Sequence, residues 1–204
     1  NKDNELITDI PFSMTPKDLN MVANIKRMIN VGVNSFKVEG RMRSVYYIAT
    51  VISVYRHLID KIVNKTLDNA YTKYSLSVLN RCANRDSTEQ FFNGLPGKNE
   101  QYFLSDRDEV SNKDFLGIVE SYDEEKNIVT LEQRNYFKPG DVVEFFGPNL
   151  EPVTFTIPEN IYDKDDNLIE VANHPKMIVK FEVPFKLSEF DMMRIKMFDI
   201  SDFL

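Results

Sequence analysis

Four charged side chains stand close together in one short stretch of the chain. Lys37, Glu39, Arg41 and Arg43 occupy alternate positions around Gly40. A carboxylate at Glu39 could act as a base or hold a substrate group, and a neighbouring arginine could bind a carboxylate or phosphate with two parallel N–H bonds. The same residues could instead form Glu39–Arg41 or Glu39–Lys37 ion pairs that only pin a turn. Residue types alone leave both alternatives open.

The elements on either side predict where this charged group lies. Ser35–Glu39 alternates apolar and polar residues, which is the period of a two-faced strand. Ser44 is a good N-cap residue, and apolar residues then recur at helical spacing to about Asn64. The charged group would therefore follow a strand end, the rim where β/α folds carry their sites. Tyr46 and Tyr47 open the helix, where one ring could line a pocket; the alternative is that both pack against neighbouring elements.

A similar strand–helix unit is predicted before it. Ile10–Met14 is a strand candidate, and Thr15 is an N-cap candidate for a helix that would end near Gly32. The order strand, helix, strand, helix implies parallel strands joined by a right-handed crossover. Because both junctions would share one edge of the sheet, Asp18 is expected on the same side as Glu39.

The second half of the chain has a different pattern. A further helix is predicted over Lys73–Asn84, and the polar, turn-rich residues 86–113 read as a linker. Beyond the linker the apolar period changes to two, which predicts a small antiparallel β barrel. The six strand candidates are Leu116–Tyr122, Ile128–Gln133, Val142–Phe146, Val153–Ile157, Leu168–Val171 and Met177–Val183. We predict an α+β chain with domains at 1–85 and 114–204.

Charge distribution, apolar runs and cysteine content restrict the possible partners and location of the protein. Residues 1–112 carry 15 Lys and Arg against 13 Asp and Glu, whereas residues 113–204 carry 10 against 19. The acidic half is a poor surface for nucleic acid, because phosphates would be repelled. No apolar run approaches the ~18 residues of a membrane span, and no signal peptide is evident. The single cysteine excludes an internal disulfide within this chain and favours a cytoplasmic protein.

Other reactive residue types are weak candidates. His57 is expected on an exposed or half-exposed helix face, and His174 in a loop, so neither predicts catalysis or a metal site. The segment from Asp163 to Asn167 begins like a calcium-binding loop but lacks its later glycine and glutamate, which favours a solvated hairpin turn. Cys82 is expected to be a buried, small apolar residue. We predict no metal site in this chain.

Two long stretches carry a family resemblance. The residues from Lys37 to Val51 fit the pattern KxEGRM(K/R)SxYYxATV. The stretch resembles the signature of family 32 of the U peptidases (unassigned catalytic type), also called collagenase-like proteases. Residues from Gly117 to Pro148, including the segment VTLEQRN, are similar to that family's C-terminal domain, and Ile161–Asp163 continues the match.

The resemblance implies a fold and a set of site residues. It places the first half of the chain at the end of a β/α (TIM-like) barrel and the second half in a small C-terminal β barrel. Glu39 and Arg41 would be catalytic. The residues implied to bind substrate are Lys37, Arg43, Tyr46, Tyr47 and Arg85. Because members are much longer, we expect a C-terminal piece, inactive alone, of a larger protein.

The resemblance also leaves the activity open among three alternatives. Some relatives act in tRNA modification, notably 5-hydroxylation of the wobble uridine, and this is the better chemical fit to a basic, aromatic rim. A genuine peptidase is the second alternative, and a non-catalytic binding module is the third. Iron–sulfur-binding members hold their cluster through upstream cysteines, so no cofactor is expected here, although the parent could carry one. We expect tRNA or a protein substrate to bind the first domain. The incomplete barrel is expected to hide its apolar surface by self-association, by docking against its own β domain, or by leaving residues 1–14 irregular.

Overall fold

The computed structural model describes residues 15–41, 43–83, 86–95, 101–102 and 113–204. Its α-helices are α1 (Ile25–Asn30), α2 (Val45–Val63) and α3 (Asn69–Cys82), with short 3₁₀ turns at Val22–Asn24, Gln90–Asn93 and Ile200–Phe203. Its first strands are β1 (Thr15–Pro16), β2 (Asp18–Leu19), β3 (Ser87–Thr88) and β4 (Gln101–Tyr102). The later strands are β5 (Phe115–Asp123), β6 (Ile128–Gln133), β7 (Val142–Phe146), β8 (Val153–Thr156), β9 (Ile161–Tyr162), β10 (Leu168–Ile169), β11 (Ile178–Glu182) and β12 (Met192–Ile195).

Capping side chains begin the two long helices. The Ser44 hydroxyl accepts a hydrogen bond from the Tyr47 amide at 3.2 Å, which starts α2 where the sequence predicts it. Asp68 caps α3 in the same way, with the Tyr71 amide 2.7 Å from its carboxylate, so α3 begins before the predicted Lys73. Among the described residues, no helix is long and apolar enough to span a membrane.

Eight strands form one curled antiparallel sheet. Its order is β10-β9-β11-β6-β5-β12-β7-β8, and every neighbouring pair is antiparallel. Residues alternate in and out along β6, as the period of two predicts, so that Val129 and Leu131 enter the core. The described pairing leaves β10 and β8 at the two edges. The predicted antiparallel β domain is confirmed, as an open half-barrel with two strands, β9 and β12, that the pattern did not reveal.

One face of this sheet packs against α2 and α3. Tyr46 of α2 lies among Phe115, Phe146 and Met192 of the sheet in a single apolar cluster. A buried ion pair lies in the same region: Arg194 Nε donates to Glu144 Oε2 at 2.8 Å, and both side chains are almost inaccessible to solvent. The helices and the β sheet therefore share a core.

The first segment differs from its predicted conformation. Thr15 and Asp18 lie in short strands, because β1 pairs with β4 and β2 pairs in parallel with β3. The helix predicted to start there is limited to α1. Pairing with distant residues prevailed over a local capping pattern, since two backbone hydrogen bonds join Asp18 and Asn20 to the β3 segment at 3.0 and 2.9 Å. The strand candidate Ile10–Met14 lies outside the described residues.

The predicted strand at Ser35–Glu39 was wrong. Residues 33–40 have no regular secondary structure, although the apolar–polar alternation is present. A strand requires a partner that accepts and donates backbone hydrogen bonds. No described strand pairs with this segment, so the predicted β/α crossover is not formed by the described residues.

The expectation that His57 would lie on an exposed or half-exposed face was also wrong. His57 is buried, with its Nδ1 3.3 Å from Ser53 Oγ, and Ser53, one helical turn earlier, lies 3.4 Å from the Gly147 carbonyl of the loop after β7. Burial lowers the pKa of His57, although Glu151 and Asp60 act in the opposite direction. A helix pattern alone could not show that the β domain packs beside this part of α2.

Removing one member of the buried ion pair should strongly destabilise the chain. Glu144→Leu would leave the Arg194 charge buried without a partner, which costs about 3–5 kcal/mol. The double variant Glu144→Leu/Arg194→Met should recover much of that loss. Lys186→Ala, which breaks the exposed pair with Glu124, is the control and should leave the free energy of unfolding close to that of the wild type. Urea denaturation of the wild type and the three variants measures these changes; a loss below about 1 kcal/mol for Glu144→Leu would contradict the expectation.

Acid should destabilise the chain through His57. Because folding lowers the pKa of His57 below the usual 6.5, the unfolded chain takes up the proton more readily. This contribution is complete above pH ~6.5 and is lost as the pH falls through the lower folded pKa. Stability measured between pH 7.5 and 5 should fall more for the wild type than for His57→Gln. Parallel pH profiles would show that His57 is not responsible.

Candidate functional site

The loop of residues 33–43 presents three of the predicted site residues to solvent. Glu39 Oε1 lies 3.0 Å from Arg41 Nε, and its Oε2 lies 3.3 Å from Lys37 Nζ. The side chains of Lys37 and Arg41 are more than 80% exposed. Exposed pairs of this kind contribute little stability. Both ion pairs foreseen as the alternative are therefore present, and catalysis by Glu39 and Arg41 stays a prediction.

Gly40 holds this loop against the helix that follows it. A Cβ atom at residue 40 would collide with the side chain of Ile48 on α2. The colliding atom is the terminal Cδ1 of Ile48, so a larger residue at position 40 would require that side chain to move. The loop that carries Glu39 and Arg41 therefore packs directly against the first turns of α2.

Arg43 points the other way and forms the best-defined polar contact of the site. Its Nη2 donates to both carboxylate oxygens of Asp18 at 2.6 Å, and both side chains are largely buried. The guanidinium lies 4.9 Å from the centre of the Tyr47 ring, a cation–π contact. The Tyr47 hydroxyl donates weakly to Asp18 at 3.4 Å. Burial, followed by the Asp18 charge, raises the pKa of Tyr47 to about 12, so the phenol stays protonated.

A small cleft opens beside this triad of Asp18, Arg43 and Tyr47. Its volume is about 30 Å³, and Tyr47 and Asp18 form part of its wall. Tyr55 Oη accepts from the Met21 amide at 2.9 Å and lies 3.4 Å from Asn20 Oδ1. Such a volume holds about two water molecules, too little for a substrate. In this triad, Asp18 holds the Arg43 guanidinium beside the Tyr47 ring, an arrangement that can bind an anionic or planar group.

The two adjacent tyrosines have different surroundings. Tyr47 lines the cleft, as expected for one of the two rings. Tyr46 is buried, with its ring stacked 5.1 Å from Phe115 and edge-on to Phe146 at 6.3 Å. Burial raises the pKa of Tyr46 well above its usual range. Packing between the helix and the sheet accounts for these contacts, and a substrate-binding role for Tyr46 stays a prediction.

Of the other residues that the sequence singles out, four can be placed by the described structure and one cannot. Arg85 lies outside the described residues. His174 is exposed on the β domain, and Asp163 accepts backbone bonds from Asp165 and Asn167, the hairpin turn that was expected. Cys82 is buried, as predicted, and burial raises its pKa to about 12, so it does not offer a thiolate. No cluster of metal-ligating side chains occurs in the part of the chain that the structure describes.

Sequence reasoning missed the partners of Arg43. Asp18 was expected near Glu39 on the basis of parallel strands, but it contacts Arg43 by a different route, through the β2–β3 pair. Asn20 and Ser87 join the cleft for the same reason, with Asn20 Nδ2 3.3 Å from Ser87 Oγ. A pair of two-residue strands has no period that a sequence pattern can reveal.

The two ion pairs of the site should differ in strength. A double-mutant cycle of Asp18→Ala and Arg43→Ala should give a coupling of about 1–3 kcal/mol, because the charged hydrogen bonds are shielded from water. The matched cycle of Glu39→Ala and Arg41→Ala should give less than about 0.5 kcal/mol. Equal coupling energies, measured by chemical denaturation, would show that the Asp18–Arg43 pair is no stronger than the exposed Glu39–Arg41 pair.

Comparison with known proteins identifies relatives of this chain. The Bacillus subtilis tRNA hydroxylation protein P1 is 47% identical over 186 residues, which cover 91% of the chain and 44% of that protein. The Escherichia coli tRNA hydroxylation protein P is 31% identical over 152 residues, covering 72% and 31%. A Porphyromonas gingivalis collagenase is 41% identical over 69 residues, covering 33% and 19%. The chain spans less than half the length of these curated relatives.

One solved structure is similar to part of the chain, and two family models match it. The C-terminal domain of a Geobacillus thermoleovorans protein assigned to the U32 peptidases is 46% identical, with a TM-score of 0.40, over 42% of the chain and 96% of that domain. The model of peptidase family U32 matches residues 1–102, and that of the U32 C-terminal domain matches residues 111–194. The chain therefore belongs to peptidase family U32.

Proposed function

We propose that the chain serves tRNA hydroxylation, as part of a protein as long as its relatives. The observation that carries this proposal is the 47% identity to the Bacillus subtilis tRNA hydroxylation protein P1 over nearly the whole chain. The proposed reaction is formation of 5-hydroxyuridine at the wobble position. On its own, the chain is expected to be inactive.

The triad supports a role in holding an anionic or planar group. Asp18 fixes one nitrogen of the Arg43 guanidinium, which has five N–H donors in total. Proteins recognise unpaired RNA bases by stacking on aromatic rings and arginine planes, and phosphates by charge. The exposed Lys37 and Arg41 add positive charge on the neighbouring loop. These features suit an RNA substrate or a small anionic donor.

The remaining features of the whole protein belong to the same proposal. The first half of the chain would complete a TIM-like β/α barrel and contact the tRNA, whereas the acidic β domain would not. An iron–sulfur cluster would be held by cysteines of the parent outside this chain, since Cys82 is buried. The setting would be cytoplasmic. Among the described residues, the short strands β2 and β3 form a sheet of two strands. The edges of this sheet would be covered by the rest of the barrel or by self-association.

A peptidase is the second candidate, because of the 41% identity to Porphyromonas gingivalis collagenase over 69 residues. The described residues contain one serine–histidine contact, Ser53 Oγ to His57 Nδ1 at 3.3 Å. Both residues are buried, and Ser53 also donates to the Gly147 carbonyl at 3.4 Å. A nucleophile must reach its substrate and a base must be oriented by a third group. This pair does not support hydrolysis, so tRNA hydroxylation remains the preferred function.

Substitutions in the site should reduce hydroxylation in the full-length protein. Arg43→Ala, Glu39→Gln and Arg41→Ala should each lower the rate more than tenfold, a loss of over ~1.4 kcal/mol of transition-state stabilisation. The rate is measured by mass spectrometry of nucleosides from tRNA treated with each variant. Arg56→Ala is the control, because Arg56 forms an exposed pair with Asp60 farther along α2.

The outcomes separate the candidate functions. Normal hydroxylation by Glu39→Gln and Arg41→Ala would show that Glu39 and Arg41 form only surface ion pairs. Gelatin cleavage by the wild type, with no change in tRNA, would favour the peptidase. Absence of both activities would favour the third alternative, a binding module.

A further inference from the structure

The first turn of α2 contacts two separate parts of the molecule. Successive residues of an α-helix are rotated by about 100°, so the adjacent Tyr46 and Tyr47 face different directions. Tyr47 contacts Arg43 and Asp18, whereas Tyr46 contacts the β sheet through Phe115 and Phe146. The same helical turn therefore belongs both to the candidate site and to the interface with the β domain.

The sheet side of this contact is rigidly built. Phe115 begins β5, and Phe146 ends β7, so both rings project from paired strands. The Arg194 guanidinium lies 4.4 Å from the centre of the Phe146 ring and is held by Glu144 from the neighbouring strand. Glu144 also accepts a bond from the Met197 amide at 3.2 Å. Tyr46 thus contacts two rings of the sheet, one of which, Phe146, itself packs against the buried ion pair.

On the side of the candidate site, the loop that precedes α2 makes few backbone hydrogen bonds. Over the described residues 33–41, 43 and 44 the backbone has no regular structure, and its described backbone bonds are those from Val33 to Met28 and from Arg43 to Gly40. Asp18 and Tyr47 hold the Arg43 side chain, whereas the Arg43 backbone leads directly into the Ser44 cap and the helix that the cap begins. Because the first turn of α2 packs against the sheet, it holds the C-terminal end of this loop in place.

We propose that Tyr46 is a positioning residue, through which the C-terminal β domain holds Arg43 and Tyr47 in place beside Asp18. The aromatic ring of Tyr46 performs this role, because the contacts of Tyr46 with the sheet are those of its ring with Phe115 and Phe146. The acidic β domain thereby serves the site without contacting substrate. The mechanical part of this proposal is independent of the reaction, whereas its catalytic consequence rests on the proposed function.

Hydrogen exchange of the intact chain tests the mechanical part. In Tyr46→Leu, the hydrogen-bonded amides within residues 40–47, those of Arg43 and Tyr47, should exchange at least tenfold faster, while the amides of β5–β7 keep their wild-type rates. Tyr46→Phe keeps the ring and should behave as the wild type. Tyr71→Leu is the matched control, since Tyr71 is equally buried in the same apolar cluster but lies on α3; it should not loosen residues 40–47 selectively.

Two results would overturn the proposal. One is unchanged exchange of residues 40–47 in Tyr46→Leu; the other is equal loosening by Tyr46→Leu and Tyr71→Leu, which would indicate general destabilisation. Should Tyr46→Leu fail to fold, Phe115→Leu weakens the same ring stack from the sheet side, and the same two results apply to it.

Kinetics of the full-length protein test the catalytic consequence. Tyr46→Leu should reduce tRNA hydroxylation at least tenfold, and Tyr46→Phe should restore the wild-type rate. Selective loosening of residues 40–47 without loss of rate would retain the mechanical role and overturn the catalytic one. A wild type that does not hydroxylate tRNA would reject the proposed function, while the exchange result would still decide the role of Tyr46.

Discussion

The contact between the helices and the β sheet depends on one buried ion pair. Arg194 and Glu144 face each other across two neighbouring strands, with Phe146 beneath the guanidinium. A buried charge is tolerated only when it is paired and hydrogen-bonded. Charge attraction from Glu144 offsets the burial that would otherwise lower the pKa of Arg194, which is raised. The apolar surfaces that surround this pair, from Phe115 to Met192, can then close against α2.

This constraint gives the helix two distinct roles. Residues that face the sheet, such as Tyr46 and Leu58, are buried and carry the packing. Residues that face β2, such as Tyr47 and Tyr55, line the cleft. The long family signature from Lys37 to Val51 is thus divided among an exposed charged loop, a shielded polar triad and an apolar anchor. A single signature can combine these physical roles because successive residues of a helix point in different directions.

Prediction succeeded where local periodicity coincides with burial. β6 and β7 have the predicted bounds because their residues alternate, or remain apolar, along one side of a core. The pattern missed β12, where Met192–Ile195 is buried at three positions, one of them Arg194. It wrongly assigned Ser35–Glu39 to a strand, because alternation describes two faces but cannot supply a pairing partner. His57 was misplaced for a related reason: polar neighbours along the helix do not show what packs over them.

The amino-acid sequence by itself determined the family signature, the cap of α2, the two-residue period of the β domain and the charge difference between the two halves. These properties arise from neighbours along the chain, so they can be read directly from residue order. Tertiary structure alone decided that Asp18 meets Arg43, that Tyr46 rests on Phe115, and that Glu144 meets Arg194. Each of these contacts joins residues 25 or more positions apart. Their formation depends on strand pairing and on the burial of charge, which no local pattern encodes.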